Sequence, residues 1–155
     1  MTVAVPVARV KPAVSWLIGQ AKNLQAVTGH VLYVGYGEPV NDDPDDQIYL
    51  ATEVHDQVKQ IGMTTATAAG PVQEAFAIAL RVSVFRSGGD GQDAFERCAD
   101  LVDSLVAFVR ADQTMGGNVA GAEVADVIYP TPMATENAQG RLCDTTLTIH
   151  CLATS

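Results

Sequence analysis

A chain of 155 residues, 48% of them hydrophobic, is long enough to bury one core, and its composition excludes a disordered protein. Nine Lys and Arg residues against 18 Asp and Glu residues give a net charge of −9, which argues against a protein that grips nucleic acid through its phosphates. The longest nearly uncharged stretch, residues 61–73, is too short to cross a bilayer, and the N-terminus lacks the basic-then-apolar order of a signal peptide. We therefore expect a cytoplasmic protein.

The first predicted element is an amphipathic helix over residues 14–27. Pro12 suits its start and Gly29 is predicted to end it. Its apolar stripe consists of Val14, Leu17, Ile18, Ala21 and Leu24. The sequence VLYVGY, residues 31–36, then predicts a short strand that leads into an acidic turn, GEPVNDDPDD.

Residues 47–61 are ambiguous. Ile48 and Leu50 alternate as in a strand, whereas Val54, Val58 and Ile61 also fit a turn of helix. The small, polar residues that follow, up to residue 73, predict a loop.

The clearest periodicity lies in residues 74–86, EAFAIALRVSVFR. Every second side chain is large and apolar, which predicts a strand with one buried face: Phe76, Ile78, Leu80, Val82 and Val84. The opposite face, with Arg81 and Phe85, is only partly polar. A face of this kind is commonly covered by a helix or by a neighbouring subunit.

A second amphipathic helix is predicted over residues 93–110, with Asp90 as its cap. Its predicted stripe is Phe95, Cys98, Ala99, Val102, Leu105, Val106 and Val109, and Arg97 is predicted to face water. Residues 119–129 and 141–153 predict a hairpin whose tip is a loop over residues 130–140. We expect one α+β domain over residues 1–155: a mixed or antiparallel sheet of four to five strands with two helices packed on it, and residues 1–12 as a possible arm.

Motifs that suggest chemistry have simpler explanations here. The segment GDGQDA, residues 89–94, fits a dinucleotide fingerprint, but two carboxylates occupy the helix start where phosphate would bind. The acidic run 41–46 lacks the Gly and Glu of a calcium loop. The three histidines and three cysteines have neither catalytic nor zinc spacing, and the cysteines are predicted to be buried. The sequence therefore predicts no catalytic residue, no cofactor and no metal, and we expect a protein that is not an enzyme.

One long segment is similar to a known family. The sequence EAFAIALRVSVFRSGGDGQDAFERCADLVDSLVAFVRADQTMGGNV resembles the centre of tail terminator proteins from long-tailed phages and prophages of actinobacteria. VLYVGYGEP with its acidic turn, and the closing hairpin, are also similar, so the likeness covers about three-quarters of the chain. Residues 64–69 and 130–140 depart from the family.

The resemblance implies a virion protein assembled in the host cytoplasm: a ring, usually a hexamer, that caps the tail tube. It implies the tube protein and the head connector as partners, with DNA passing through the channel. The interface residues do not follow from the resemblance; our candidates are Arg81, Phe85 and His150 for sheet-side contacts, and Asp42, Asp43, Asp45 and Asp46 for the lumen or an axial partner. Two alternatives stay open: another neck or head–tail joining protein of related fold, and a small bacterial ligand-binding domain or enzyme.

Overall fold

The computed structural model describes residues 9–41, 44–51, 55–60, 72–135 and 140–154. Its elements are α1 (Val10–Ala21), β1 (Leu32–Gly35), β2 (Asp46–Leu50), β3 (His55–Gln60), β4 (Val72–Ser87), α2 (Gln92–Ala111), β5 (Gly121–Val124), β6 (Met133–Ala134) and β7 (Gly140–Thr154). The predicted α+β class with one mixed sheet is confirmed. Within the described residues the sheet has seven strands, more than the predicted four to five, and β6 is only two residues long. The predictions for residues 1–8 and 62–71 lie outside the described residues. The predicted arm is wrong for residues 10–12, which belong to α1, and the predicted loop is wrong for residues 72–73, which belong to β4.

The sheet is organised around two long strands, β4 and β7. They pair antiparallel along almost their whole lengths, from Gln73 opposite Thr154 to Ser87 opposite Gly140. The strand order is β1-β2-β4-β7-β5, with β3 also on β4 and β6 also on β7. Among the described strands, β1 and β2 are parallel and the other pairs are antiparallel.

One hydrophobic cluster joins both helices to the same side of the sheet. The predicted alternation in β4 is confirmed, and β7 supplies the matching buried set opposite it. The buried hydrophobic residues of β4 and β7 are Phe76, Ile78, Leu80, Val82, Val84, Cys143, Leu147, Ile149, Cys151 and Ala153. Fully burying one large aliphatic side chain stabilises the fold by about 1.5–3 kcal/mol, so burial of this face is the main source of stability.

All three cysteines are buried free thiols, as predicted, and burial raises the pKa of Cys98 and of Cys151 to about 12.

The first helix begins and ends earlier than predicted. It starts at Val10 because proline is tolerated in the first helical turn, so Pro12 lies inside the helix. It ends at Ala21, where the chain tightens into turns and the carbonyl of Gln25 accepts a hydrogen bond from Arg97 at 2.8 Å. The predicted end at Gly29 is therefore wrong; Gly29 lies in the turn before β1.

The ambiguous segment after the acidic turn forms two strands. β2 and β3 both pair antiparallel with β4, so the helical interpretation of Val58 is wrong. The exposed hydrogen-bonding edge of the long strand β4 offers both segments a ladder, which a single turn of helix cannot match. Val54 and Ile61 lie outside the described residues.

The first strand of the hairpin after α2 is shorter than predicted, and a segment without regular strand structure follows it. β5 ends at Val124, and residues 125–132 then follow β7 without a regular ladder. Side chains of β7 hold this segment: Thr145 donates to the carbonyl of Ile128 at 3.1 Å, and Cys143 donates to that of Pro130 at 3.2 Å. The predicted strand 119–129 is thus only partly a strand, and β6 interrupts the predicted loop 130–140.

The loop that follows α2 is fixed by one carboxylate. Asp112 accepts hydrogen bonds from the backbone N–H of Thr114 at 3.1 Å and of Gly116 at 2.9 Å, and from the Thr114 hydroxyl at 2.6 Å. The bond from the Thr114 side chain is the largest cause of a lowered pKa for Asp112. The buried side chain of Met115, whose sulfur lies 3.6 Å from that of Cys151, attaches this loop to the core.

The pKa of Asp112 is lower in the folded protein than in the unfolded chain. Its carboxylate therefore stabilises the fold fully above the unfolded-chain pKa, and this stabilisation is lost as the pH falls through the folded-state pKa. We expect Asp112→Asn to melt below wild type at neutral pH, with a gap that narrows below about pH 4. Thermal unfolding of both proteins across this range measures the gap. A gap that is the same in acid and at neutral pH would contradict the role of the charge.

Gly116 in the same loop has two reasons to be glycine. Its φ is +72°, and a Cβ there would lie 2.7 Å from Cδ1 of Trp16. Gly88 has the same φ of +72°, but a Cβ there would have no neighbouring atom within 4 Å, so it is the matched control. Both alanine variants should lose about 1 kcal/mol from the left-handed backbone. Gly116→Ala should lose about 1–3 kcal/mol more from the clash, measured by denaturant unfolding; equal losses would contradict the contact.

Candidate functional site

The side of the sheet opposite the helices is the candidate site, and we call it the open face. Its residues alternate along each strand with those that point into the core, and the register places them side by side. Within the described part of the chain, both helices pack on the other side. The residues of the open face include Tyr33, Gln47, Tyr49, Ala77, Ala79, Arg81, Ser83, Phe85, Glu123, Leu142, Asp144, Thr146, Thr148, His150 and Leu152.

The strongest electrostatic contact on the open face joins Arg81 to Asp144. Arg81 Nε donates to Asp144 Oδ1 at 2.5 Å, and Nη2 donates to Oδ2, so the pair is bidentate. This hydrogen bonding is the main cause of a raised pKa for Arg81. The Arg81 side chain is still 42% exposed, so the pair adds little stability. Its effect is to neutralise the arginine within its own chain.

A shallow hollow of about 480 Å³ lies beside this pair, with Tyr49 and Glu38 in its lining. Partial burial is the largest cause of a raised pKa for Tyr49, and the nearby Glu38 carboxylate is the next. The Tyr49 hydroxyl therefore stays protonated at neutral pH, where it is available as a hydrogen-bond donor or acceptor.

Phe85 lies over the backbone of the neighbouring strand. A Cβ at Gly140 would be 2.6 Å from Cε2 and Cζ of the Phe85 ring, so the ring occupies the space above that glycine. Glycine in a strand has no side chain to pack, and an aromatic ring from the adjacent strand that covers it compensates for the missing contacts. Part of the apolar surface of Phe85 is thus already used inside the subunit.

A larger groove, of about 710 Å³, lies at one end of the sheet where β4, β5 and β7 meet. Glu123 and His150 are directly opposite each other across β5 and β7 and both line it, together with Leu152, Phe76 and Gln113. The groove is open rather than enclosed. Among the described residues, no group of three or more His, Cys, Asp or Glu side chains is arranged to hold a metal ion.

The structure brings three of the seven candidate residues together on one face. Arg81, Phe85 and His150 lie along the seam between β4 and β7, because His150 is opposite Ala77 and Phe85 is opposite Leu142. Neighbours in this row are four residues apart along the strands, which corresponds to about 13 Å. They form a row along the open face and are too far apart to form a common site.

Of the acidic candidates, the structure describes Asp45 and Asp46, and these two do not lie on one surface. Asp42 and Asp43 lie outside the described residues. Asp45 is partly exposed and pairs with His30 at 2.8 Å. Asp46 is completely buried, which corrects its place among the lumen candidates.

Asp46 is buried because two arginines bind it. Arg86 of β4 donates to Oδ1 at 2.6 Å, and Arg97 of α2 donates to Oδ2 at 3.0 Å. Both arginine side chains are mostly buried, with 11% and 15% of their surface exposed. The prediction that Arg97 faces water is therefore wrong, because this side chain connects α2 to β2 and to the carbonyl of Gln25.

Sequence reasoning missed this triad, although its signal is present. Asp46 is in phase with the buried Ile48 and the partly buried Leu50, and Arg86 is in phase with Val84. A charged side chain that continues an apolar alternation must be paired when it is buried.

The fingerprint-like loop before α2 is filled by the protein's own groups. Asp90 Oδ1 accepts the backbone N–H of Gln92, the first residue of α2, at 3.0 Å, but the residue at the cap position is Gly91 and not the predicted Asp90. A Cβ at Gly91 would lie 2.8 Å from Cβ of Pro132. After α2 the chain enters β5, which is separated from β4 by β7. A dinucleotide site instead needs adjacent parallel strands.

No protein-family model matches this chain, and no curated protein sequence matches it significantly. Among the described helices, none is both long enough and apolar enough to span a membrane.

Proposed function

We propose that this chain is a structural protein of a tailed phage or prophage particle: a tail terminator that forms an oligomeric ring on the tail tube. The ring ends tube polymerisation, offers a surface to the head connector and leaves a channel for DNA. The observation that carries the proposal is the open face, a broad sheet surface that no described helix covers. The resemblance of residues 74–119 to tail terminators supports it, since this segment folds as strand, loop, helix and loop.

The chemistry of the open face suits such a role. Its arginine is neutralised by Asp144, and the other residues named above for this face include no lysine and no arginine. Phosphate binding requires clustered, unpaired cations, so DNA would slide past this surface without being held. The net charge of −9 acts in the same direction.

The experiment is to produce particles that lack this protein and to measure their tails by electron microscopy. The proposal predicts tails longer than those of complete particles, because nothing stops tube polymerisation. Supplying the wild-type protein should restore the normal length. Tails of normal length in its absence would contradict the terminator role.

The same micrographs separate the closest alternative. A head–tail joining protein of related fold would leave tails of normal length beside free heads. Free heads together with overlong tails are expected for a terminator, since the head connector also lacks its docking surface.

The groove beside Glu123 and His150 is the observation that favours a ligand-binding domain. A thermal-shift screen with nucleotides and divalent metals tests it. Stabilisation by a ligand grows with the ratio of its concentration to its dissociation constant, so a clear shift at low concentration would favour this alternative.

A further inference from the structure

The exposed apolar side chains are concentrated at the two edges of the sheet. Nine large hydrophobic residues among those described are exposed. Four flank β1, the strand at one edge: Val27, Val31, Tyr36 and Val40. Three lie beside β7 at the other edge: Ile128, Tyr129 and Met133. The open face, by contrast, has one, Leu152.

The first edge, which we call the β1 edge (residues 31–36), has the properties of a strand made for pairing. The carbonyl of Val31 accepts the N–H of Asp46, so the backbone of Val31 faces β2. Because backbone groups face alternate sides along a strand, the N–H and C=O groups of Leu32 and Val34 point away from the sheet. No strand in the described chain pairs with them on that side. The sequence VLYVGY contains no charge and no proline, the devices by which proteins protect an edge.

The second edge, which we call the β6 edge (residues 128–134), presents mainly side chains. Met133 and Thr135 direct their backbone groups to β7, so those of Ala134 point outward. Prolines 130 and 132 lack N–H groups, which confines any ladder to β6. Contact along the rest of this edge comes from Ile128, which is 59% exposed, and from the exposed part of Tyr129, whose hydroxyl donates to Asp103 of α2 in its own chain.

Strand direction makes the two edges compatible. β1 is parallel to β2 and therefore antiparallel to β4, whereas β6 is antiparallel to β7 and therefore parallel to β4. When a second copy follows the first around a rotation axis that runs along the strands, the strand direction is kept and β1 of one meets β6 of the next in antiparallel orientation. Antiparallel pairing is the more stable of the two arrangements.

We infer that the β1 edge of one subunit packs against the β6 edge of the next, so that the sheet continues from copy to copy. This inference rests on the proposed ring and assigns its subunit contact. The occupant of each edge is a second copy because a ring needs two different complementary surfaces on one chain, and these two edges supply them. The row Arg81, Phe85 and His150 then lies along the ring wall and outside the subunit contact.

Two double variants of the full-length protein test the contact. Val31→Glu with Tyr36→Glu places charges on the β1 edge, and Ile128→Glu with Met133→Glu places them on the β6 edge. These four side chains are 54–63% exposed, so both variants should fold, which circular dichroism checks. Leu152→Glu, at an exposed apolar position on the open face, is the matched control and should assemble as wild type does.

Native mass spectrometry gives the readout. Each double variant alone should be a monomer, close to the 16.3 kDa of the chain. An equal mixture of the two should form a species of two chains and nothing larger, because one intact edge of each kind remains. A mixture that stays monomeric, or a single variant that forms rings or dimers by itself, would overturn the inference.

The outcomes also separate this inference from the proposed function. Wild-type rings with unchanged assembly of both variants would leave the ring in place and refute the edge contact. A wild type that is monomeric at all concentrations, with and without tail tubes, would refute both.

Discussion

Asp46→Ala is expected to lower the free energy of unfolding by about 3–5 kcal/mol. The substitution removes the carboxylate to which both Arg86 and Arg97 donate, and both guanidinium groups are mostly buried. Both arginines would then lose their anionic partner between β2, β4 and α2. The loss comes from leaving these two buried charges without it, since a buried ion pair itself gives little net stability.

Denaturant unfolding at neutral pH measures the effect, with Asp45→Ala as the control. Asp45 is the preceding residue, but its pair with His30 is partly exposed, so we expect a loss of about 0–1 kcal/mol. Asp46→Asn keeps the size of the side chain and one acceptor oxygen, and its loss should be intermediate. Similar losses for Asp45→Ala and Asp46→Ala would show that Asp46 does not hold two buried arginines.

Leu147→Ala is expected to cost about 2–5 kcal/mol. Leu147 lies at the centre of β7, is 1% exposed and is opposite Leu80 in the sheet beneath the helices. Truncation leaves a cavity that a sheet held by long ladders on β4 cannot close.

Leu152→Ala is the same substitution on the same strand, on the opposite face. Leu152 is 39% exposed, so we expect a loss of less than about 1 kcal/mol. Urea midpoints of the two variants give the comparison. A loss at Leu152 as large as that at Leu147 would mean that the single chain covers its own open face, and the face could then not serve as a free surface.

The elements best predicted from the sequence are those in which the apolar residues of the local pattern are also the residues buried in the fold. The alternation in β4 and β7 and the stripe of α2 were visible because each element buries one face along its full length. The stripe predicted for α2 is wrong at its margin, where Phe95 was predicted to be buried. The structure leaves Phe95 39% exposed because Ala94 and Leu101 occupy the buried side of the helix instead.

The features that the sequence did not reveal depend on contacts between distant residues. Asp46 and Arg97 are 51 positions apart and meet only when β2 and α2 pack together, so no window of sequence shows them as a pair. The strand β3 forms because β4 extends beyond β2, which is a property of the sheet and not of residues 55–60.

The shared face of three candidate residues could be predicted from the sequence, whereas their role as contacts stays a prediction. Arg81, Phe85 and His150 do share a face, because the period of two along each strand and the antiparallel register fix it. The exposed residues at the sheet edges were not predicted as contacts, since Val31 and Ile128 are exposed only because of where β1 and residues 125–132 lie in the strand order.

The central claim is that this chain works as one subunit of a ring. Light scattering of the purified wild-type protein, coupled to size exclusion, measures the mass of the assembly directly. We expect a single species several times heavier than the 16.3 kDa chain, about sixfold for a hexamer. A species of one chain mass at every concentration, unchanged by added tail tubes, would contradict the claim.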